Sequence, residues 1–244
     1  MRRGRVARDG AIHSACPDGT ALRLDDGRRV AGSGVVWLPP LEPRTVFSID
    51  APAIGTAGAP VIRLSSRHAF VGHRATLPCP AGAAVRCHVG LVVVIGADAR
   101  RIPQARAHEV VSGWTIALCC ETVGDDAERS DVVGAIRDRS IALGPWIVDA
   151  ADVPDPAALA IRMFVNDREI RRGRQGAGAA RGERGCGRDA ACDIPALVEH
   201  LSSMLTLSAG DLLVIDVSMV ASDLRPGDVV ACEIDDIGQL VGTI

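Results

Sequence analysis

The sequence predicts an α+β domain that is mainly β, with a few short helices and a small β appendage at its N-terminus. Three observations carry this reading. Asp9-Gly10, Asp18-Gly19 and Asp26-Gly27 divide the front of the chain into short segments such as Ala21-Leu22-Arg23-Leu24, the mark of tight turns between strands. Val89 to Ile95 reads Val-Gly-Leu-Val-Val-Val-Ile and stops at Gly96, as a strand buried on both faces would. After Asp193, an apolar stripe at Leu197, Leu201, Met204 and Leu205 has the spacing of one helix face.

The elements follow in order. Residues 1–43 form the small β segment and its linker, because Pro39-Pro40-Leu41-Glu42-Pro43 stiffens the chain and removes backbone donors. Residues 44–244 form the main domain. Within it, residues 103–112 are expected to be a short helix, with Pro103 in its first turn and Gly113 past its end, followed by a strand from Trp114 to Leu118. Asp193 is placed to cap the next helix, with Pro195 in its first turn. Gly210-Asp211 and Gly227-Asp228 open strands over Asp211–Ile215 and Asp228–Ile234. Residues 171–192, RRGRQGAGAARGERGCGRDAAC, lack apolar periodicity and are expected to be a mobile Arg/Gly loop. Its GAGAARG has neither the preceding strand nor the following helix that a dinucleotide-binding fingerprint requires.

Composition removes several function classes. The 244 residues have a net charge of −3, so no global attraction draws the chain to nucleic acid or anionic membrane. Neither Lys nor Tyr occurs, and mechanisms built on a lysine ammonium or a phenol are thereby excluded. The longest apolar run, Val89 to Ala97, is about half of the roughly 18 residues a membrane-spanning helix needs. The N-terminus has no apolar core of a signal peptide, and a cytoplasmic location is expected. Eight cysteines without a C-x-x-C pair then imply reduced thiols.

Several phrases in order resemble the fumarylacetoacetate hydrolase superfamily: LVVVIG at 91–96, VVSGWTIA at 110–117, LGPWIVDAADVPDPAALAIRMFVN at 143–166, DIPALVEHLSSMLTLSAGDLL at 193–213 and LRPGDVVACEIDDIGQLVGTI at 224–244. Within that superfamily they are most similar to the N-terminal half of the isomerase/decarboxylases of 4-hydroxyphenylacetate (homoprotocatechuate) catabolism. The resemblance implies a strongly curved mixed β-roll, usually dimeric. It also implies a Mg2+ or Mn2+ site whose cation polarises a 2-oxo acid for C–C cleavage, decarboxylation or proton shift.

The positions matching that machinery depart from it. The family's Glu-x-Glu falls on His88-Val89-Gly90, and its third carboxylate on Leu118-Cys119. Its lysine falls near Ala135 or Arg137, and an arginine holds an anion without shuttling a proton. The acid/base segment is replaced by Ser48-Ile49-Asp50 and APAIGTAGAP, the Thr-Gly-Thr-Pro loop by Ile215-Asp216-Val217-Ser218, and the glutamine after the Asn-Gly turn by Arg171. A substitute metal site, if one exists, is expected at His88, Cys119 and Glu121, with Asp125 nearby, donors that suit zinc better than magnesium. The alternative is a hydrogen-bonded His88 and a Cys119 that merely fills space.

Losing every ligand together removes the groups that would stabilise an enolate-like transition state. The expectation is therefore a diverged member of the family without its own cofactor, pairing with itself or with an active homologous subunit. The alternative is an isomerase/decarboxylase still acting on a 2-oxo-hexene-dioate-type 2-oxo-dicarboxylate. Arg171, Arg172, Arg174, Arg181, Arg184 and Arg188 raise phosphate tracking as a third reading, but no aromatic side chain is interleaved for base stacking, so neither nucleic acid nor membrane is an expected partner.

Overall fold

The computed structural model describes residues 1–50, 61–123, 137–174 and 193–244. The front of the chain is a β-meander: β1 (Arg2–Arg8), β2 (Ala11–Asp18), β3 (Ala21–Leu24), β4 (Arg29–Ala31) and β5 (Val36–Leu38). Asp9 and Gly10 both have positive φ, which matches the twist of a two-residue hairpin between β1 and β2. Then come β6 (Val46–Asp50), β7 (Val61–Ser65), β8 (Phe70–Val71), β9 (Ala75–Thr76), β10 (Ala84–Ile95), β11 (Val111–Val123) and β12 (Ile141–Asp149). The chain closes with β13 (Ala160–Val165), β14 (Arg168–Arg174), helix α1 (Ile194–Met204), β15 (Leu212–Leu224), β16 (Val229–Ile234) and β17 (Gly238–Thr243).

A large mixed sheet runs β4-β3-β2-β1-β12-β11-β10-β15-β6-β7, and a smaller one runs β14-β13-β16-β17-β9. Most pairs are antiparallel, whereas β15/β6, β12/β8 and β17/β9 are parallel. One hydrophobic core joins Leu91, Ile116 and Leu213 of the large sheet to Ile161, Val230 and Leu240 of the small one and to Leu197 and Leu201 of α1. The front meander contributes Val6, Leu22 and Trp37 to the same core, and β1 joins the large sheet through Arg2 and Arg3 opposite Val148 and Ile147. Asp211, buried at the start of β15, accepts from the backbone N–H of Thr45 at 3.0 Å and of Ser208 at 2.7 Å, fixing where β6 and β15 meet.

Four expectations need correction. The helix expected at 103–112 is a 3-10 turn over Gln104–Glu109 behind an extended Pro103, and Val111 and Ser112 already belong to β11. With Gly96 bonded to Val110 and the β10/β11 ladder closing at Val111, strand pairing wins over local helical preference. Met204 is 52% exposed because the helix ends there. Residues 171–174 are not loop: they continue β14, paired with β13, where Arg171 faces Met163 and Arg172 faces Arg162. The rest of that stretch, with Arg181, Arg184 and Arg188, lies outside the described residues, as do Asp125, Ala135 and residues 51–60. Finally, not all thiols are reduced: Cys87 and Cys120 form a disulfide with Cα atoms 4.1 Å apart, because the β10/β11 register sets them directly opposite.

Candidate active-site cleft

Residues of six neighbouring strands of the large sheet, β12-β11-β10-β15-β6-β7, line a cleft of ≈ 90 Å³. They include His88 on β10, Cys119 and Glu121 on β11, Asp216 on β15, Ser48 on β6, and Arg63 and Ser65 on β7. His88 pairs in register with Cys119, and Arg86 pairs with Glu121. The Arg86 guanidinium donates to Glu121 from Nε at 2.8 Å. Ser48 and Ser65 share a hydroxyl hydrogen bond at 3.1 Å on the opposite wall.

The centre of the cleft is the ring of His88, 25% exposed and set between two carboxylates. Its Nε2 lies 3.4 Å from Glu121 Oε1 and its Nδ1 3.5 Å from Asp216 Oδ2. Burial opposes the charged ring, but hydrogen bonding to Asp216 and to Glu121, with their negative charge, outweighs it and raises the His88 pKa to about 9. The Glu121 carboxyl is held down to about 2, first by its hydrogen bond with His88, against burial, and then by the charges of His88 and Arg86. At neutral pH His88 is therefore held as the imidazolium beside the Glu121 carboxylate.

Sequence reasoning brought His88, Cys119 and Glu121 together, and all three line this cleft. It missed Asp216, Arg63, Ser48 and Ser65 as site residues. The segment Ile215–Ser218, read as the counterpart of a substrate-binding loop, is strand here, and strand alternation is what turns Asp216 inward with Val214. Arg137 offers its backbone carbonyl to the Ser140 hydroxyl at 2.7 Å.

The profile described as fumarylacetoacetate (FAA) hydrolase C-terminal matches residues 41–244. The chain belongs to the fumarylacetoacetate hydrolase family. It is 32% identical over 188 residues to a 4-hydroxyphenylacetate degradation bifunctional isomerase/decarboxylase of Salmonella dublin, a match covering 76% of this chain and 41% of that protein. The chain thus spans about two fifths of that relative's length. A protein of Archaeoglobus fulgidus is 28% identical over 98% of this chain and 94% of its own. Among solved structures, a 2-hydroxyhepta-2,4-diene-1,7-dioate isomerase from Mycobacterium marinum superimposes with a TM-score of 0.80 at 27% identity, covering 100% of this chain and 97% of that one.

The family's hard divalent cation does not fit the donors present. At the three positions that the resemblance assigns to its carboxylates stand an imidazole, a glycine and a thiol, none a hard oxygen ligand. The two carboxylates that do reach the cleft are separated by the His88 ring. At Gly90 an added Cβ would stand 2.8 Å from Val214 Cγ1, so a side chain there requires Val214 to shift. Among the described residues no group of three His, Cys, Asp or Glu side chains is spaced to hold a metal ion.

Proposed function

We propose that this chain is a fumarylacetoacetate hydrolase-family subunit, related to the enzymes of aromatic catabolism, that does not run the family's metal-dependent reaction at this cleft. It acts instead as a folded partner, associating with a second copy or with a catalytically competent homologue. The carrying observation is the His88 ring lying between Glu121 and Asp216, its nitrogens 3.4 and 3.5 Å from their oxygens, where a divalent cation would need oxygen ligands. A side-chain imidazole held there cannot chelate the carbonyl and carboxylate of a 2-oxo acid as a divalent ion does.

The test joins calorimetric titration with Mn2+ and Mg2+ to a turnover assay on a 2-oxo-hexene-dioate-type substrate and to light scattering of the purified protein. The expected result is no stoichiometric metal, no turnover, and a mass above that of one chain or a mixed complex with the active homologue. Stoichiometric metal together with turnover that disappears in His88→Ala or Glu121→Ala would overturn it.

A second reading is an active isomerase or decarboxylase. The polar lining of the cleft, with Arg63, Ser48 and Ser65 beside His88, and the names of the relatives favour it. In that case turnover survives chelators and falls in Arg63→Ala.

A further inference from the structure

We infer that Cys87 and Cys120 form a thiol–disulfide exchange site that staples the cleft-forming end of β10 to β11, so that the redox state of the pair controls the order of His88 and Glu121. Cys87 and Cys120 belong to the hydrophobic core, 0% and 7% exposed, and Cys120 also borders the cleft that its neighbours His88, Cys119 and Glu121 line. One covalent bond therefore holds both strands beside the candidate site.

The position is where β10 is least well supported from its other side. Between β10 and β11 the register is unbroken from Ala84 to Val94. Between β10 and β15 it shifts twice, between Val85 and Cys87 and again between His88 and Gly90. The segment Cys87–His88 falls between these two irregularities, where a ladder is locally disrupted and its strand free to bend. Near the start of β10 and the end of β11 strand ends open most easily, and a crosslink there changes local opening more than one in the middle of the ladder.

Exchange with a small dithiol balances without any other reactant. One thiolate of the dithiol attacks a sulfur of the Cys87–Cys120 bond and gives a mixed disulfide. Its second thiolate then displaces the remaining protein sulfur, leaving two protein thiols, two electrons richer, and a cyclic small-molecule disulfide. Oxidation by a low-molecular-weight disulfide reverses the step. Because both sulfurs are shielded, exchange proceeds through local opening of this end. The other fully buried thiol among the described residues, Cys232, is kept protonated by burial and does not compete as a nucleophile.

The inference does not depend on whether the cleft binds metal or turns over substrate, and its test is independent of both. The full chain is trapped with iodoacetamide under denaturing conditions, without reductant, and cleaved at arginine, which puts Cys87 on the peptide after Arg86 and Cys119-Cys120 on the peptide after Arg106. A linked pair of these peptides is expected, kept in Cys119→Ser and lost in Cys120→Ser. Amide hydrogen exchange is then followed with and without dithiothreitol. Around residues 85–90 and 118–122 the reduced wild type should exchange roughly tenfold faster or more, with distant strands unchanged. The Cys87→Ser/Cys120→Ser protein should not respond to the reductant. Absence of the linked peptides overturns the inference, and so does a linked protein whose exchange around His88 is the same before and after reduction.

Discussion

His88 and Asp216 meet across β10 and β15 with Nδ1 3.5 Å from Oδ2, although the residue of β10 in register with Asp216 is Gly90. His88, two residues from Gly90 on the same face of β10, reaches the carboxylate diagonally while Glu121 holds its other nitrogen.

This arrangement sets a pH window. His88 has its pKa raised from an ordinary 6.5 to about 9, so its contribution to stability is complete below 6.5 and is lost as pH rises through about 9. Glu121 is lowered from 4.5 to about 2, so its contribution is present above 4.5 and is lost as pH falls towards 2. Both shifts describe one coupled cluster, complete between 4.5 and 6.5 and largely kept at neutrality. Proton–carbon NMR of the His88 ring should give a midpoint near 9, moving down in Asp216→Asn. A midpoint near 6.5 in the unmodified protein would refute the paired imidazolium.

Asp211 tests the seam between β6 and β15. Replacing it by alanine strands two backbone N–H donors, those of Thr45 and Ser208. The cost is about 3 kcal/mol, since each buried unsatisfied donor costs about 1–3. Urea unfolding should show this as a lower midpoint, with Asp211→Asn milder because one carbonyl oxygen still accepts. A midpoint unchanged in Asp211→Ala would remove the carboxylate from the account of how these strands join.

The helix cap offers a smaller effect at a site the sequence marks clearly. The Asp193 side chain accepts from the Ala196 N–H at 3.0 Å, and Asp193→Ala should cost about 1 kcal/mol in the same measurement. Asp193→Ser should recover most of it, because a hydroxyl accepts the same bond. Equal losses in both would mean that the contact of Asp193 with Gln104 Nε2, at 2.9 Å, matters more than the cap.

How far the sequence reveals all this depends on how local the cause is. Asp193, Asp9-Gly10 and the β-branched run of β10 act within a few residues, and their elements are where the sequence puts them. The 3-10 turn at Gln104–Glu109 is misread as a longer helix because pairing of Val111 with Ile95 takes the residues that would complete it. His88, Cys119 and Glu121 are legible as a group through resemblance, and all three line the cleft. Asp216 is hidden because its approach to His88 depends on the register between β10 and β15, and the Cys87–Cys120 bond because it depends on the register between β10 and β11. Both are properties of pairing between strands, which no single segment encodes.

Gly90 tests whether packing bars a side chain at a position that the resemblance assigns to a carboxylate. A Cβ at this position would meet Val214 Cγ1 at 2.8 Å and Ala117 Cβ at 3.5 Å. The first contact is too close to survive without a shift of Val214, itself 3% exposed and packed in the second apolar cluster. Gly90→Ala should therefore destabilise by about 1–3 kcal/mol, the usual cost of overpacking. Val214→Ala should lose stability alone, through its cavity, yet restore part of the loss when combined with Gly90→Ala, so that the two effects are not additive. Simple additivity would mean that position 90 has room for a side chain and that packing does not bar a ligand there. Strong coupling would mean that a carboxylate cannot return by one substitution, and that regaining metal binding also requires Val214 to shrink.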